Sequence, residues 1–569
     1  MGPQEPLYLS LAPDPAFVQL HLPADLAPGS TAVLLCPPFG WDDVCSYRSR
    51  RTWAQALAAA GHPVARIDLP GSGDSAGSPS GADRLAAWID AVTGASSWLR
   101  LRTGSDRVAA VGIGLGGLVA CAALSAGAEI DDLVLWAVPA RGRAFVRELH
   151  AFAQMETGSP PADAPLVVAG FLLSDQTAAT LERLDLTAAA IPGAERRRFL
   201  LLERDGLAPD GRLREHLERA GAEVLVEPGE GYAAMMDDPR LARPPVRVID
   251  QSIAWLAARP GPAPGGASPA TKRLAPRASA ALELRGEGDV AIRETPVTFE
   301  LTSGRVFGVL CEPAGEANRG VCGVLLGAGA IRRIGPSRMW VEVARAWAAR
   351  GVPTLRVDLR GIGDADGDER RYISDDEYYR PELTAQTLEV IGQLAARALP
   401  DRFVLGGLCS GAYWSFRAAV ADERVVGALL TNLWAFFWSP QLVREREIRR
   451  AHVLLRRREN IERAIPTVLR AAARAPVRAA QRRSRASEID DALDLLDERG
   501  TQVLLQFSQG EDLLSDLGRG LERLTRRPSV ELDLIPTADH TFRALALQRH
   551  VAATYDRTLD RVLSAMREP

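Results

Sequence analysis

The chain has 569 residues, of which 47% are apolar and 25% charged, and it carries a net charge of −4. That composition excludes a disordered or fibrous chain, the charge excludes a strongly basic nucleic-acid binder, and at roughly 100–250 residues per domain the length asks for two or three domains. Six cysteines with no C-x-x-C pair exclude a disulfide scaffold and offer no metal-site spacing, and no motif asks for a cofactor.

The N-terminal Met-Gly-Pro-Gln-Glu-Pro has neither the basic start nor the apolar run of a secretion signal. Residues 108–128 are uncharged, long enough to cross a bilayer. However, Gly112, Gly114, Gly116 and Gly117 break that run into a strand, a turn and a helix. A soluble, cytoplasmic protein with no membrane span is expected.

In chain order, the first half predicts a strand at 32–36, a helix at 51–60 and a strand at 64–69. A helix, a strand running into a Gly-x-x-x-Gly turn at 108–116, a further helix and a strand at 133–137 follow. The second half repeats the order with strands at 323–326, 354–359, 403–411 and 426–431 and a helix at 339–350. The repeat is explicit at one place: residues 61–77 read GHPVARIDLPGSGDSAG and residues 351–367 read GVPTLRVDLRGIGDADG, identical at nine of seventeen positions. Both copies describe a buried parallel strand leaving the sheet through a glycine-rich loop. Strands alternating with helices imply two doubly wound, mostly parallel α/β sheets. No G-x-G-x-x-G follows the first strand of either half, which argues against a dinucleotide fold. Residues 259–284 have the Pro, Gly and Ala content of a linker, so the expected division is a domain at 1–258, a linker at 259–284 and a domain at 285–569.

The chemistry concentrates in the second half. Gly407-Leu408-Cys409-Ser410-Gly411 has the spacing of a nucleophile elbow, G-x-S-x-G, with cysteine at its centre. Small residues two before and two after are needed because backbones crowd at the turn, and the following helix N-terminus favours a thiolate. Taking Ser410 as the nucleophile would put Leu408 and Ala412 at the small positions, a poorer fit. Such a nucleophile needs an acid and a histidine later in the chain. Asp512, after a strand that starts at Thr501, is the favoured acid, with Glu511 and Asp516 as alternatives. His540 follows the last strand in a loop, whereas His452 and His550 lie in helical segments.

These features resemble the α/β-hydrolase superfamily, and the second half is similar to its serine-aminopeptidase-like and dienelactone-hydrolase-like branches, the latter with cysteine in G-x-C-x-G. The resemblance implies an oxyanion hole from the backbone N–H of Ser410 and one in Gly327-Ala328-Gly329-Ala330, with Gly329 and Ala330 the candidates. It also implies a lid at about 439–499. Between Ser439 and Ala486 that segment carries fourteen arginines against four glutamates, with Leu442, Ile448, Leu454, Leu455, Ile461, Ile465, Val468 and Leu469 as its apolar face. Leu408, Tyr413, Trp434 and Trp438 are the candidate substrate contacts. A basic lid over an aromatic floor suits an acyl group tethered to an acidic carrier protein or to coenzyme A.

The matching elbow in the first half, Gly112-Ile113-Gly114-Leu115-Gly116, has glycine in the nucleophile's place. Tyr232 stands where the histidine belongs, and Asp205 is a relic of the acid. This half is expected to be a degenerate domain packed against the catalytic one. The expected function is acyl transfer through a Cys409–His540–Asp512 triad and a thioester, as an acyltransferase or thioesterase. An ester or lactone hydrolase of dienelactone-hydrolase type and a non-catalytic scaffold are the alternatives.

Overall fold

A computed structural model describes every residue except 1, 27–29, 82, 158–164, 259–274, 316–318, 369–373, 398, 445–474, 518–519, 537–538 and 568–569, together with the side chains of 157, 475–485 and 515. The strands of the first half are β1 (Gln4–Leu9), β2 (Ala16–His21), β3 (Thr31–Cys36), β4 (Val64–Ile67), β5 (Arg107–Ile113), β6 (Asp132–Trp136), a separate hairpin of β7 (Leu166–Val168) and β8 (Phe171–Leu173), β9 (Arg198–Leu202), β10 (Glu223–Glu227) and β11 (Ala278–Ser279). Those of the second are β12 (Leu282–Arg285), β13 (Ala291–Leu301), β14 (Gly304–Pro313), β15 (Cys322–Leu326), β16 (Thr354–Asp358), β17 (Phe403–Leu408), β18 (Val425–Thr431), β19 (Gln502–Ser508) and β20 (Val530–Ile535).

Two nine-stranded sheets result, ordered β10-β9-β6-β5-β3-β4-β2-β1-β11 and β20-β19-β18-β17-β15-β16-β14-β13-β12. They match strand for strand. The inner strands pair in parallel, while β2, β1 and β11 and their counterparts are antiparallel at one edge. Burial explains the composition of the central strands: β5 and β17 are buried along their whole length, covered on both faces by helices and so free of polar alternation. Two α/β domains in tandem are therefore present. Pairing begins inside the stretch read as linker, because β11 closes the edge of the first sheet and β12 opens the edge of the second.

The first helix, Trp41–Ala59, begins ten residues before the expected start. Asp42 and Asp43 sit in its first turn, where carboxylates suit the positive end of the helix dipole. The matching stretch of the second half, Ile331-Arg332-Arg333, stays non-helical, with Gly335 at φ 72°, and its helix is Met339–Ala349. Of the lid, residues 445–474, with Ile448, Leu454, Leu455, Ile461, Ile465, Val468 and Leu469, lie outside the described residues. Its end is the helix Ala475–Glu498, which buries Leu493 and Leu496 in the second core. Among the described residues no helix is long and apolar enough to cross a membrane.

The two sheets meet through their repeated loops. Arg66 pairs with Asp364, and Arg356 pairs with Asp74. These are the same two positions of the seventeen-residue repeat, exchanged. Asp68 and Asp358 each accept a hydrogen bond from the backbone N–H six residues on, at 2.9 and 3.0 Å, closing identical turns. Between them lie two arginines without a symmetric twin. Arg332 reaches Asp68 at 3.0 Å and both Asp74 and Asp43 at 3.4 Å, while Arg333 reaches Asp74 and Asp358 at 2.7 Å and Asp364 at 2.9 Å. All are buried. Apolar contact surrounds the charges, with Tyr8, Phe17 and Ala76 packed on Leu282, Phe307 and Val309.

Candidate active site

Cys409 stands at the end of β17 with φ 57° and ψ −111°, capping the helix Ser410–Ala421. The reason for glycine on either side is visible: a Cβ at Gly407 would lie 2.3 Å from the Gly411 carbonyl carbon, and one at Gly411 would lie 2.4 Å from Gly327 O. Ser410 is buried and its hydroxyl accepts from Gly329 N–H at 2.9 Å. It ties the elbow to the loop after β15, and it is not placed as a nucleophile.

His540 stands beside Cys409, near enough for each to shift the other's titration, and its Nδ1 lies 2.7 Å from Glu511 Oε1. The carboxylate on the histidine is thus Glu511, the adjacent alternative, rather than Asp512. Asp512 opens the helix Asp512–Leu517 and lines the same cleft. One residue earlier on the loop, a longer side chain spans the gap to the imidazole. Asp516 lies on that same helix.

The loop carrying His540 is itself fixed. Asn432, with φ 45° at the end of β18, donates to His540 O at 2.7 Å and to Ser508 Oγ at 3.1 Å, and accepts from Ser508 N–H at 2.7 Å. One side chain therefore joins the ends of three neighbouring strands.

Electrostatics single out this thiol. Burial opposes the Cys409 thiolate, but the hydrogen bond and charge of His540, with a contact from Tyr379 Oη at 3.6 Å, more than offset it and hold the thiol below its ordinary value. Burial likewise opposes the imidazolium, yet the bonds to Cys409 and Glu511 lift His540 to about 10. The other five cysteines are buried, and desolvation pushes each thiol up, Cys36 and Cys121 to about 12. A thiolate–imidazolium pair forms at one place.

The cleft over Cys409 has a volume of about 610 Å³. Leu408 and Trp434 line it, together with Ala330 and Gly329. Tyr413 and Trp438, expected to touch substrate, stand behind Tyr379: Trp438 stacks on it at 4.0 Å and Tyr413 meets it edge-on at 5.0 Å. Tyr379 itself takes the place at the cleft wall. Of the three expected oxyanion donors, the Gly329 N–H is already engaged by Ser410 Oγ, Ser410 opens the helix behind the thiol, and Ala330 borders the cleft.

The first half supplies a wall of this cleft: Trp41, Asp238, Pro239 and Arg240. Arg240 is held by Asp238 at 3.0 Å and crosses to Asp375 of the second half at 2.9 Å. Neither Tyr379 nor these residues could be found from the elbow motif, because they arrive from a loop and from the other domain. Among the described residues no group of three His, Cys, Asp or Glu side chains could hold a metal ion.

The first half keeps the frame of the same site. Gly114 has φ 53° and ψ −120°, and its N–H bonds Trp136 O at 3.0 Å as that of Cys409 bonds Thr431 O at 2.9 Å. Asp205 accepts from the backbone N–H groups of Gly231, Tyr232 and Ala233, which places Tyr232 in the loop a histidine would occupy.

Residues 31–209 match the family model of the alpha/beta hydrolase fold. No curated protein sequence matches the chain. Similar solved structures include a hypothetical protein from Pseudomonas aeruginosa, at 16% identity over 45% of this chain and 93% of that one (TM-score 0.33). Others are a serine hydrolase without a lid from Xanthomonas campestris, at 18% over 45% and 97% (0.30), and a proline iminopeptidase from Mycobacterium smegmatis, at 11% over 45% and 98% (0.33).

Proposed function

Residues 31–209 match the alpha/beta hydrolase fold and the second half repeats that sheet strand for strand; from this we propose that the second half transfers acyl groups through a thioester on Cys409. The observation that carries this reading is a thiol at an elbow, held below its ordinary value by His540 in the same cleft, with Glu511 on that histidine's Nδ1. The thiolate attacks the acyl carbonyl. The tetrahedral intermediate collapses, His540 gives its proton to the leaving thiol or alcohol, and the acyl group remains on sulfur. His540, now neutral, takes the proton of an incoming acceptor, which attacks the thioester and restores the thiolate–imidazolium pair. Glu511 orients the ring throughout.

Cysteine rather than serine favours thioester substrates, because the exchange of one thioester for another is close to isoenergetic. An acyl group on coenzyme A or on a carrier protein is therefore the favoured donor, and the cleft volume lies in the range of small-molecule sites. Hydrolysis of an ester or lactone is the second reading, with water as acceptor.

The test is intact-mass measurement after mixing with acyl-CoA or an acylated carrier. A mass gain equal to the acyl group is expected, and Cys409→Ala abolishes it. If no donor or activated ester acylates the protein, and iodoacetamide labels Cys409 no faster than Cys322, the reading fails. Release of free acid without acceptor marks a hydrolase, and acceptor-dependent release a transferase.

A further inference from the structure

The vacated site of the first half encloses a cavity of about 180 Å³, lined by Pro38, Phe39, Trp41, Asp42, Gly114, Leu115, Phe145, Glu148, Phe152, Arg204 and Tyr232 among others. By volume it holds about six waters, so an occupant must be small. Space opens where a nucleophile would stand: a Cβ built on Gly114 meets only Pro38 Cβ at 3.7 Å and Tyr232 Oη at 4.0 Å.

Two polar groups face this space without partners. Tyr232 is 5% exposed, yet its hydroxyl bonds no described residue. The hydroxyl opens onto the cavity, where it is available to bond a ligand group. Asp42, an exposed residue at the mouth of the cavity, makes no side-chain hydrogen bond or ion pair with any described residue. Asp42 is also the charge that acts most strongly on the Tyr232 hydroxyl.

The remaining wall is aromatic, with Phe39 and Phe145 edge-to-face at 6.3 Å and Phe152 beside them. Arg204 does not make the cavity basic. It lies over the Tyr232 ring at 4.7 Å and pairs with Glu148 at 3.4 Å, both of them solvent-exposed. That pair balances itself, and Asp42 leaves the cavity with a net negative charge. Carboxylate and aromatic faces together favour an ammonium.

We propose that this cavity is a binding site for a small primary amine with a compact apolar body, its ammonium held by Asp42 and Tyr232 Oη and its body set against Phe39, Phe145 and Phe152. The site is separate from Cys409 and stands whether or not the acyl-transfer reading holds. The two cavities share one wall residue, Trp41.

The experiment is calorimetric titration of the full chain with phenethylamine, with phenylacetate as the isosteric anion. Phenethylamine is expected to bind with a Kd below about 1 mM. Asp42→Asn is expected to weaken it roughly tenfold and Tyr232→Phe roughly threefold, and phenylacetate is expected not to bind. Tyr232→Phe keeps the ring and so serves if Asp42→Asn does not fold. No binding of phenethylamine, equal binding to both variants, or equal binding of phenylacetate would overturn the proposal.

Discussion

The two halves build the same turn for different contents. Gly114 and Cys409 differ by 4° in φ and 9° in ψ. Each donates its N–H to a carbonyl of the neighbouring strand, and each is flanked by glycines whose Cβ would collide with backbone. The turn is therefore a product of sheet, helix and crowded backbone, and it is the same with cysteine or glycine at its centre. What changes is the use of the side chains around it. In the second half a carboxylate polarises a histidine. In the first, Asp205 spends its oxygens on three backbone N–H groups and holds a loop. Asn432, which joins three strand ends, is matched by Ala137, which keeps a positive φ of 54° and has no side-chain amide.

The comparison breaks first at the interface. Asp74 belongs to the first half but holds Arg332, Arg333 and Arg356 of the second. Asp74→Asn should lower stability by about 3–5 kcal/mol, because it strands buried cations; a urea unfolding midpoint at the wild-type value would deny that role.

Next comes the histidine. With Cys409 held below its ordinary value and His540 raised to about 10, the ion pair exists between those two limits. Alkylation of Cys409 should thus reach its plateau at a lower pH than that of an ordinary thiol. His540→Ala removes the main opposition to burial, so the thiol titrates higher and labelling at neutral pH falls by roughly a hundredfold. An unshifted profile would show that His540 does not act on the thiol.

Glu511→Gln should reduce turnover roughly tenfold by weakening the hold on His540, and Asp512→Asn should reduce it less. The reverse ranking, read from kcat, would return the acid's place to Asp512.

Gly114→Cys sharpens the contrast further. The space above Gly114 accepts a Cβ, but Tyr232 cannot take a proton as a base. The new thiol is expected to react with iodoacetamide about as slowly as the buried cysteines. Rapid labelling would mean that the turn alone activates a thiol. The smallest effect is at Asp205: Asp205→Asn should leave acyl turnover unchanged, and a large loss of kcat would make the first half a participant in the chemistry.

Much of this was legible in the sequence because its signals are local. The repeat at 61–77 and 351–367, the two elbows and the late His540 each depend on residues within one strand and one turn. The acid was one residue away from its expected place, since Glu511 and Asp512 differ in reach and only the loop decides which carboxylate meets the ring. Tyr413 and Trp438 were near the site but one layer too deep, with Tyr379 between them and the cleft. Trp41, Arg240, Arg332 and Arg333 gave no signal, because each has its role against the other half of the chain and that role appears only when the two sheets face each other.

The exchange of Arg66–Asp364 for Arg356–Asp74 is the signature of an isologous contact, in which residue i meets j and j meets i. Two identical chains could make that contact, but they could not place Arg332 and Arg333 at its centre. Arg332 meets Asp43, and the position matching Asp43 in the other copy is Arg333, so a symmetric pair would set arginine against arginine. A covalent tether removes the requirement that both partners be the same. It lets one copy turn basic and the other acidic across the axis, and it fixes the stoichiometry at one Cys409 elbow for each Gly114 elbow.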